Sequence, residues 1–252
     1  MVAALVAALV LSPAQVHGSS EWKVLFDGKT LSGWTPKIKG YPLGMNFGNT
    51  FRVTDGAIEV NYDGYSGKFQ DRFGHLFYET PFSNYVLQLE YRFTGSQLPD
   101  APGWAYKNSG VMIHGQTPNS MRLDQDFPVS CEVQFLGGDE TGERHTLNMC
   151  SPGTHIVMND KLITQHCVDS NSPTFRGDVW VKAEIEVRGH GAVIHRIDGK
   201  EVMRYEKVQF DMNDADAKRL CKDGKVAISG GTISLQSESH PVWFRKIRIK
   251  QL

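Results

Sequence analysis

A chain of 252 residues with 27 Lys and Arg against 28 Asp and Glu has a formal net charge of -1, so no global field draws it to nucleic acid or to an anionic membrane. Its length supports a real hydrophobic core, which excludes a disordered chain. The 25 glycines are about a tenth of the residues, above the ~7% of an average protein, and point to many turns.

In chain order, residues 2–11 form an unbroken apolar run, followed by Pro13 and by Val16-His17-Gly18 with small residues at alternate positions. This is the pattern of a signal peptide over residues 1–18. Ten apolar residues are too few to span a bilayer, so no membrane span is expected, and the rest, residues 19–252, reads as one domain exported to the periplasm or beyond the cell. Asp55-Gly56 separates two short β-type runs at residues 51–53 and 57–60, which predicts a tight hairpin. Residues 85–93 read YVLQLEYRF, with Tyr85, Leu87, Leu89, Tyr91 and Phe93 on one face and Gln88, Glu90 and Arg92 on the other, the period of a half-buried strand. Residues 179–187 repeat the device, and Asp198-Gly199 marks a second hairpin between residues 192–197 and 201–205. One short helix is expected at residues 213–220. The remainder alternates strand and turn, which favours an all-β, two-sheet antiparallel sandwich. Irregular stretches at residues 36–48, 97–108 and 136–153 are expected as its rims, where binding residues gather.

Four cysteines are present. Cys150 and Cys167 each sit in a polar, loop-like setting, whereas Cys131 alternates with Val133 and Phe135 as a core residue does. Export permits a disulfide, and Cys150–Cys167 is the expected pair. Cysteine spacing makes no metal motif, and His145, His155 and His166, which flank the pair, read as loop residues.

Three strands carry polar residues opposite a clear apolar face. Val111 and Ile113 leave His114 on the other side, Val133 and Phe135 leave Glu132 and Gln134, and Ile233 and Leu235 leave Ser234 and Gln236, with Glu238 and His240 in the loop beyond. A wet sheet face is usually Lys, Glu and Thr. His, Gln, Glu and Asn108 with Trp104 nearby instead suit a sugar groove, where planar polar groups read hydroxyls and an indole stacks on a ring. Serine-hydrolase, zincin and nucleotide-binding motifs are absent. An ordinary retaining glycosidase needs two close carboxylates, and Glu132 has no second Glu on its own strand, so Glu238 could supply one only through the fold.

Several segments together resemble one family: VLFDGKTLSGW at residues 24–34, NSGVMIHGQ at 108–116, CEVQFLGG at 131–138, CSPGTHIVMNDKL at 150–162 and GTISLQSESHPVWFRKIRI at 231–249. In this order they resemble the 3-keto-disaccharide hydrolase domain family. The resemblance implies a concanavalin A-like jelly-roll and action on glycosides oxidised at C3, by hydrolysis or by 1,2-elimination with later hydration. A C3 ketone acidifies the C2 hydrogen, so such a site needs a base, donors or a divalent cation for the enolate oxygen, and an acid for the leaving oxygen. Glu132 is the expected base and His114 the alternative base or a metal ligand. Gln134, Asn108, Trp104 and Gln236 are expected to bind a glycoside or oligosaccharide, with Glu238 and His240 closing the rim or assisting as acid. Phe244 and Arg245 read as structural. The competing reading is a non-catalytic, lectin-like carbohydrate-binding module.

Overall fold

The computed structural model describes residues 21–252, so the expected signal peptide lies outside the described residues. The chain forms two antiparallel sheets packed face to face. The first, here the site sheet, runs in the order Cys167–Val168, Asn148–Cys150, Cys131–Leu136, Asn108–Gly115, Thr232–Ser237, Gly74–Tyr78, Trp34–Ile38. The second, the back sheet, runs Lys161–Ile163, Thr154–Met158, Lys200–Phe210, Ala192–Ile197, Val181–Arg188, Asn84–Phe93, Val242–Gln251, Ala57–Val60, Phe51–Thr54, with Lys23–Val24 added on Val242–Gln251. Most neighbours in the site sheet are distant in sequence, and such non-local pairing brings residues 34–38, 108–136 and 232–238 onto one surface.

Both expected hairpins form. Asp55 and Gly56 have φ of 49° and 75°, and Asp198 and Gly199 have 48° and 80°, the paired positive values of the turn whose twist matches its strands. The strand predicted at 85–93 is Asn84–Phe93, buried at every second residue. The strand predicted at 179–187 is Val181–Arg188. Just before it, Trp180 lies under the Arg245 guanidinium, which is 3.9 Å from its ring centre. The helix is Ala215–Leu220 rather than 213–220, because the Asp214 carboxylate accepts from the Ala217 N–H at 2.8 Å and so fixes the first turn.

The core lies between the sheets. Tyr91 of the back sheet stacks on Phe135 of the site sheet with centroids 4.1 Å apart, and its hydroxyl meets that of Thr146 at 2.6 Å. Cys131 is buried as its alternation required, donating to the Tyr205 hydroxyl, which also meets His195. Phe244 is fully buried and Arg245 pairs with Glu90, so both are structural, as expected. The Cys150–Cys167 disulfide is present. It joins residues directly opposite each other on neighbouring strands.

Candidate functional site

The outer face of the site sheet is a continuous polar row. Lys37 pairs with His75 and His75 with Gln236. Leu235 pairs with Val111, which sets Gln236 beside Gly110, and Gly110 pairs with Gln134 and Gln134 with Asn148. The next row holds Met112, Glu132, Cys150 and Cys167, again mutually opposite. This face is not wet. Lys37, His75, Gln236, Glu132 and Asn148 are all buried, because irregular segments fold across it. Phe127 meets His75 edge-on at 5.9 Å, Phe73 packs against Phe127, and Trp104 stacks on Phe73 at 5.8 Å. These aromatics close the His75 end of the row and leave the Glu132 end open.

At that open end lies a cleft of about 420 Å³ walled by Trp104, Asn108, Phe127, Glu132, Gln134, Leu136, Arg144, the disulfide pair, Pro152, His166 and Glu238. Of the residues expected to form the site, Glu132, Gln134, Asn108, Trp104 and Glu238 meet here. Gly110 shapes the floor: a Cβ at this position would stand 2.6 Å from Glu132 Oε1, so the missing side chain is the space the carboxyl occupies. Glu132 is 6% exposed and Glu238 3%. Glu132 has no hydrogen-bond or ion-pair partner among the described residues, and Glu238 Oε2 is buried without one. Burial pushes the Glu132 carboxyl up to about 8. It raises Glu238 well above the carboxylate range, and the negative charge of Glu132 beside it adds to that rise. Two unpaired carboxyls on a buried floor are expensive for the fold.

Other polar groups are held in place. Gln134 accepts from Asn148 Nδ2 at 3.1 Å, and Asn108 Nδ2 donates to the Trp104 carbonyl, leaving Asn108 Oδ1 buried and unpartnered. Trp104 is 55% exposed at the rim.

Three expected site residues lie elsewhere. His114 has a φ of 52°, and the pairing with Thr232–Ser237 shifts register beside it. This bulge breaks the alternation that placed His114 on the Glu132 face. Its polar surroundings are Gly189 and His190, in the turn between Val181–Arg188 and Ala192–Ile197, and burial lowers it to about 4; it is not on the cleft wall. His240 is packed edge-on to Phe93 and Tyr106, and burial, with Lys107 and Arg144 nearby, lowers it to about 4. Gln236 lies beneath the aromatic cover, fully buried with both amide atoms unpartnered. Arg144 and His166 were missed as cleft residues because they sit in segments with no periodicity to reveal their facing. Arg144 Nη1 donates to the Gly137 carbonyl at 2.8 Å, which aims the half-buried guanidinium along the wall. Among the described residues no group of three or more His, Cys, Asp or Glu is arranged to hold a metal ion.

The sequence model of the 3-keto-alpha-glucoside-1,2-lyase-like domain matches residues 21–250. A 3-keto-disaccharide hydrolase of Bacteroides thetaiotaomicron is 26% identical over 247 residues, spanning 90% of this chain and 77% of its own length. Among solved structures, a candidate glycosyl hydrolase of Parabacteroides distasonis superposes with a TM-score of 0.54 at 17% identity, covering 92% of this chain and 94% of that one. A β-glucanase of Bacillus licheniformis gives 0.50 at 11% identity, covering 94% and 100%. These likenesses identify a concanavalin A-like fold. The match over nearly all described residues makes this chain a member of the 3-keto-alpha-glucoside-1,2-lyase-like domain family.

Proposed function

We propose that the protein eliminates the C1 substituent from 3-keto-glucosides, with Glu132 as base and protonated Glu238 as the donor to the ketone oxygen. The observation that carries this reading is the pair of buried, unpaired carboxyls on the cleft floor. A carboxyl raised to about 8 is a stronger base once ionised than an ordinary Glu. Its neighbour is raised well above the carboxylate range by burial, and the charge on an ionised Glu132 adds to that rise, so it keeps its proton beside the ionised base and can hydrogen-bond a developing oxyanion.

The steps balance without an oxidant. The Glu132 carboxylate takes the C2 proton, and the C–H electron pair moves into a C2–C3 enolate whose oxygen is held by the Glu238 O–H. The pair then returns to form the C1–C2 double bond as the ketone is restored, and the C1–O bond breaks with its electrons leaving on oxygen. No oxocarbenium ion forms. Addition of water to the resulting 2-hydroxy-3-keto-glucal makes the overall change a hydrolysis, which reconciles a lyase-like family with a relative called a hydrolase. Asn108, Gln134 and Arg144 are placed to read ring hydroxyls and Trp104 to stack on the ring. Export belongs to the same reading, and N-terminal sequencing of protein recovered from the cell envelope or medium checks for cleavage near residue 18.

The test is incubation of the protein with methyl 3-keto-α-glucoside and with its unoxidised parent, following enone absorbance and released methanol. Turnover of the keto form alone is expected, and Glu132→Gln abolishes it. Binding of both sugars with turnover of neither would replace this reading by a lectin-like one.

A further inference from the structure

The cleft does not end at its far wall. A second groove of about 450 Å³ adjoins it, and Phe127, Pro152 and His166 line both. His166 stands at this junction. Its side chain is exposed, and no described residue hydrogen-bonds its imidazole. Its backbone, by contrast, is fixed: the carbonyl accepts from Ser151 N at 2.8 Å, and the next residue is the disulfide-bonded Cys167. An exposed imidazole on a fixed stretch of backbone, with both ring nitrogens available, can serve a ligand as proton donor or acceptor. Several acidic side chains around the second groove are already engaged within the protein. Asp214 caps the helix, Asp216 is held by Arg122 and Arg219, and Asp211 faces His155 at 3.2 Å. Hydroxyls of Ser151 and Thr164 share its lining, a surface suited to a neutral polyol rather than an anion.

Resting on the elimination reading above, the geometry points to a further site: we infer that the second groove receives the leaving group, a neutral hydroxylated aglycone such as a second sugar, and that His166 protonates the departing oxygen. Glu132 and Glu238 act on the ring side, at C2 and at the C3 oxygen. The oxygen on C1 is the atom that passes from one chamber to the other, at the position His166 lines. As the C1–O bond breaks, its electron pair stays on oxygen and takes the imidazolium proton. The neutral imidazole is then reprotonated from solvent.

The experiment uses leaving groups of different basicity. Wild type and His166→Ala are assayed on three 3-keto-α-glucosides: the 4-nitrophenyl compound, whose phenolate leaves without a proton, the methyl compound, and a disaccharide. Loss of a general acid is expected to lower kcat/KM by about 10²-fold or more on the methyl and disaccharide substrates, and by only a few-fold on the nitrophenyl substrate. The disaccharide is also expected to show a lower KM than the methyl glycoside with wild type. An equal loss on all three substrates would make His166 a structural residue, and no loss on the methyl glycoside would remove it from the mechanism. Equal KM values would leave the second groove without a leaving group. Failure of the wild type on the nitrophenyl substrate would instead refute the elimination reading itself, so the two ideas fail separately. Melting curves that coincide for the two proteins verify that the exposed side chain was removed without damage to the fold.

Discussion

Gly110→Ala separates the position of the Glu132 carboxyl from the integrity of the fold. The new Cβ would lie 2.6 Å from Oε1, 2.9 Å from Cγ and 3.1 Å from Cδ of Glu132, where ordinary contact begins at 3.4 Å. The carboxyl must therefore retreat by about 0.8 Å. Because the crowded atoms are the free end of an otherwise unpaired side chain beside an open cleft, the retreat is easily accommodated. Gly110 lies within the strand Asn108–Gly115, where alanine is better tolerated than glycine by roughly 0.5–1 kcal/mol, offsetting part of any crowding. A misplacement of about 1 Å costs on the order of 10²-fold in rate, or about 2.7 kcal/mol of activation free energy. The expected variant thus melts within a few degrees of wild type while kcat on methyl 3-keto-α-glucoside falls by about two orders of magnitude and KM changes little. Wild-type kcat would show that the carboxyl's position is irrelevant to the chemistry. Collapse of the fold would show that the contact is structural.

The carboxyl pair also predicts the pH dependence. Activity rises with pH as Glu132 ionises through about 8; Glu238→Gln, a donor that cannot ionise, keeps this acidic limb. A flat kcat/KM between pH 5 and 9 would refute the assignment of Glu132 as base. The same shift acts on stability. The fold raises the Glu132 value above that of an unfolded Glu, so its contribution is fully present below about 4.5 and is lost as pH rises through about 8. Glu132→Gln should therefore melt like wild type near pH 4 and at a higher temperature at pH 9, and the reverse order would contradict the burial argument. Reducing the disulfide, which spans a separation of 17 residues, should cost about 3 kcal/mol and lower the melting temperature by roughly 6–12 °C. An unchanged melting temperature with both thiols titrated would show that strand pairing alone holds Cys167–Val168 in place.

What could be read in the sequence follows from what alternation encodes. A strand with one buried face declares its facing, so Tyr85, Leu87 and Tyr91 on one side and Glu132 and Gln134 on another could be placed before any coordinates. Alternation is silent where the chain bulges, and it misplaces His114 for that reason: at φ 52°, beside a register shift, its side chain leaves the face that Met112 keeps opposite Glu132. It is equally silent in irregular segments, which here carry Arg144, Phe127 and His166 to the cleft. Nor does alternation say what covers a face. The polar row from Lys37 to Asn148 shows no sign in its alternation that Phe73, Trp104 and Phe127 lie over its His75 end. Yet one signal of the site was present in the residues themselves. Gly110 interrupts the strand Asn108–Gly115 with no turn for it to serve, and an interior strand glycine with that history marks the close approach of another group. Its cross-strand neighbourhood contains a single acidic residue, Glu132, opposite Met112. A glycine that gives up packing beside a carboxyl that gives up solvation makes sense only if the carboxyl is needed where it stands, so the pair locates the chemistry more sharply than either residue does alone.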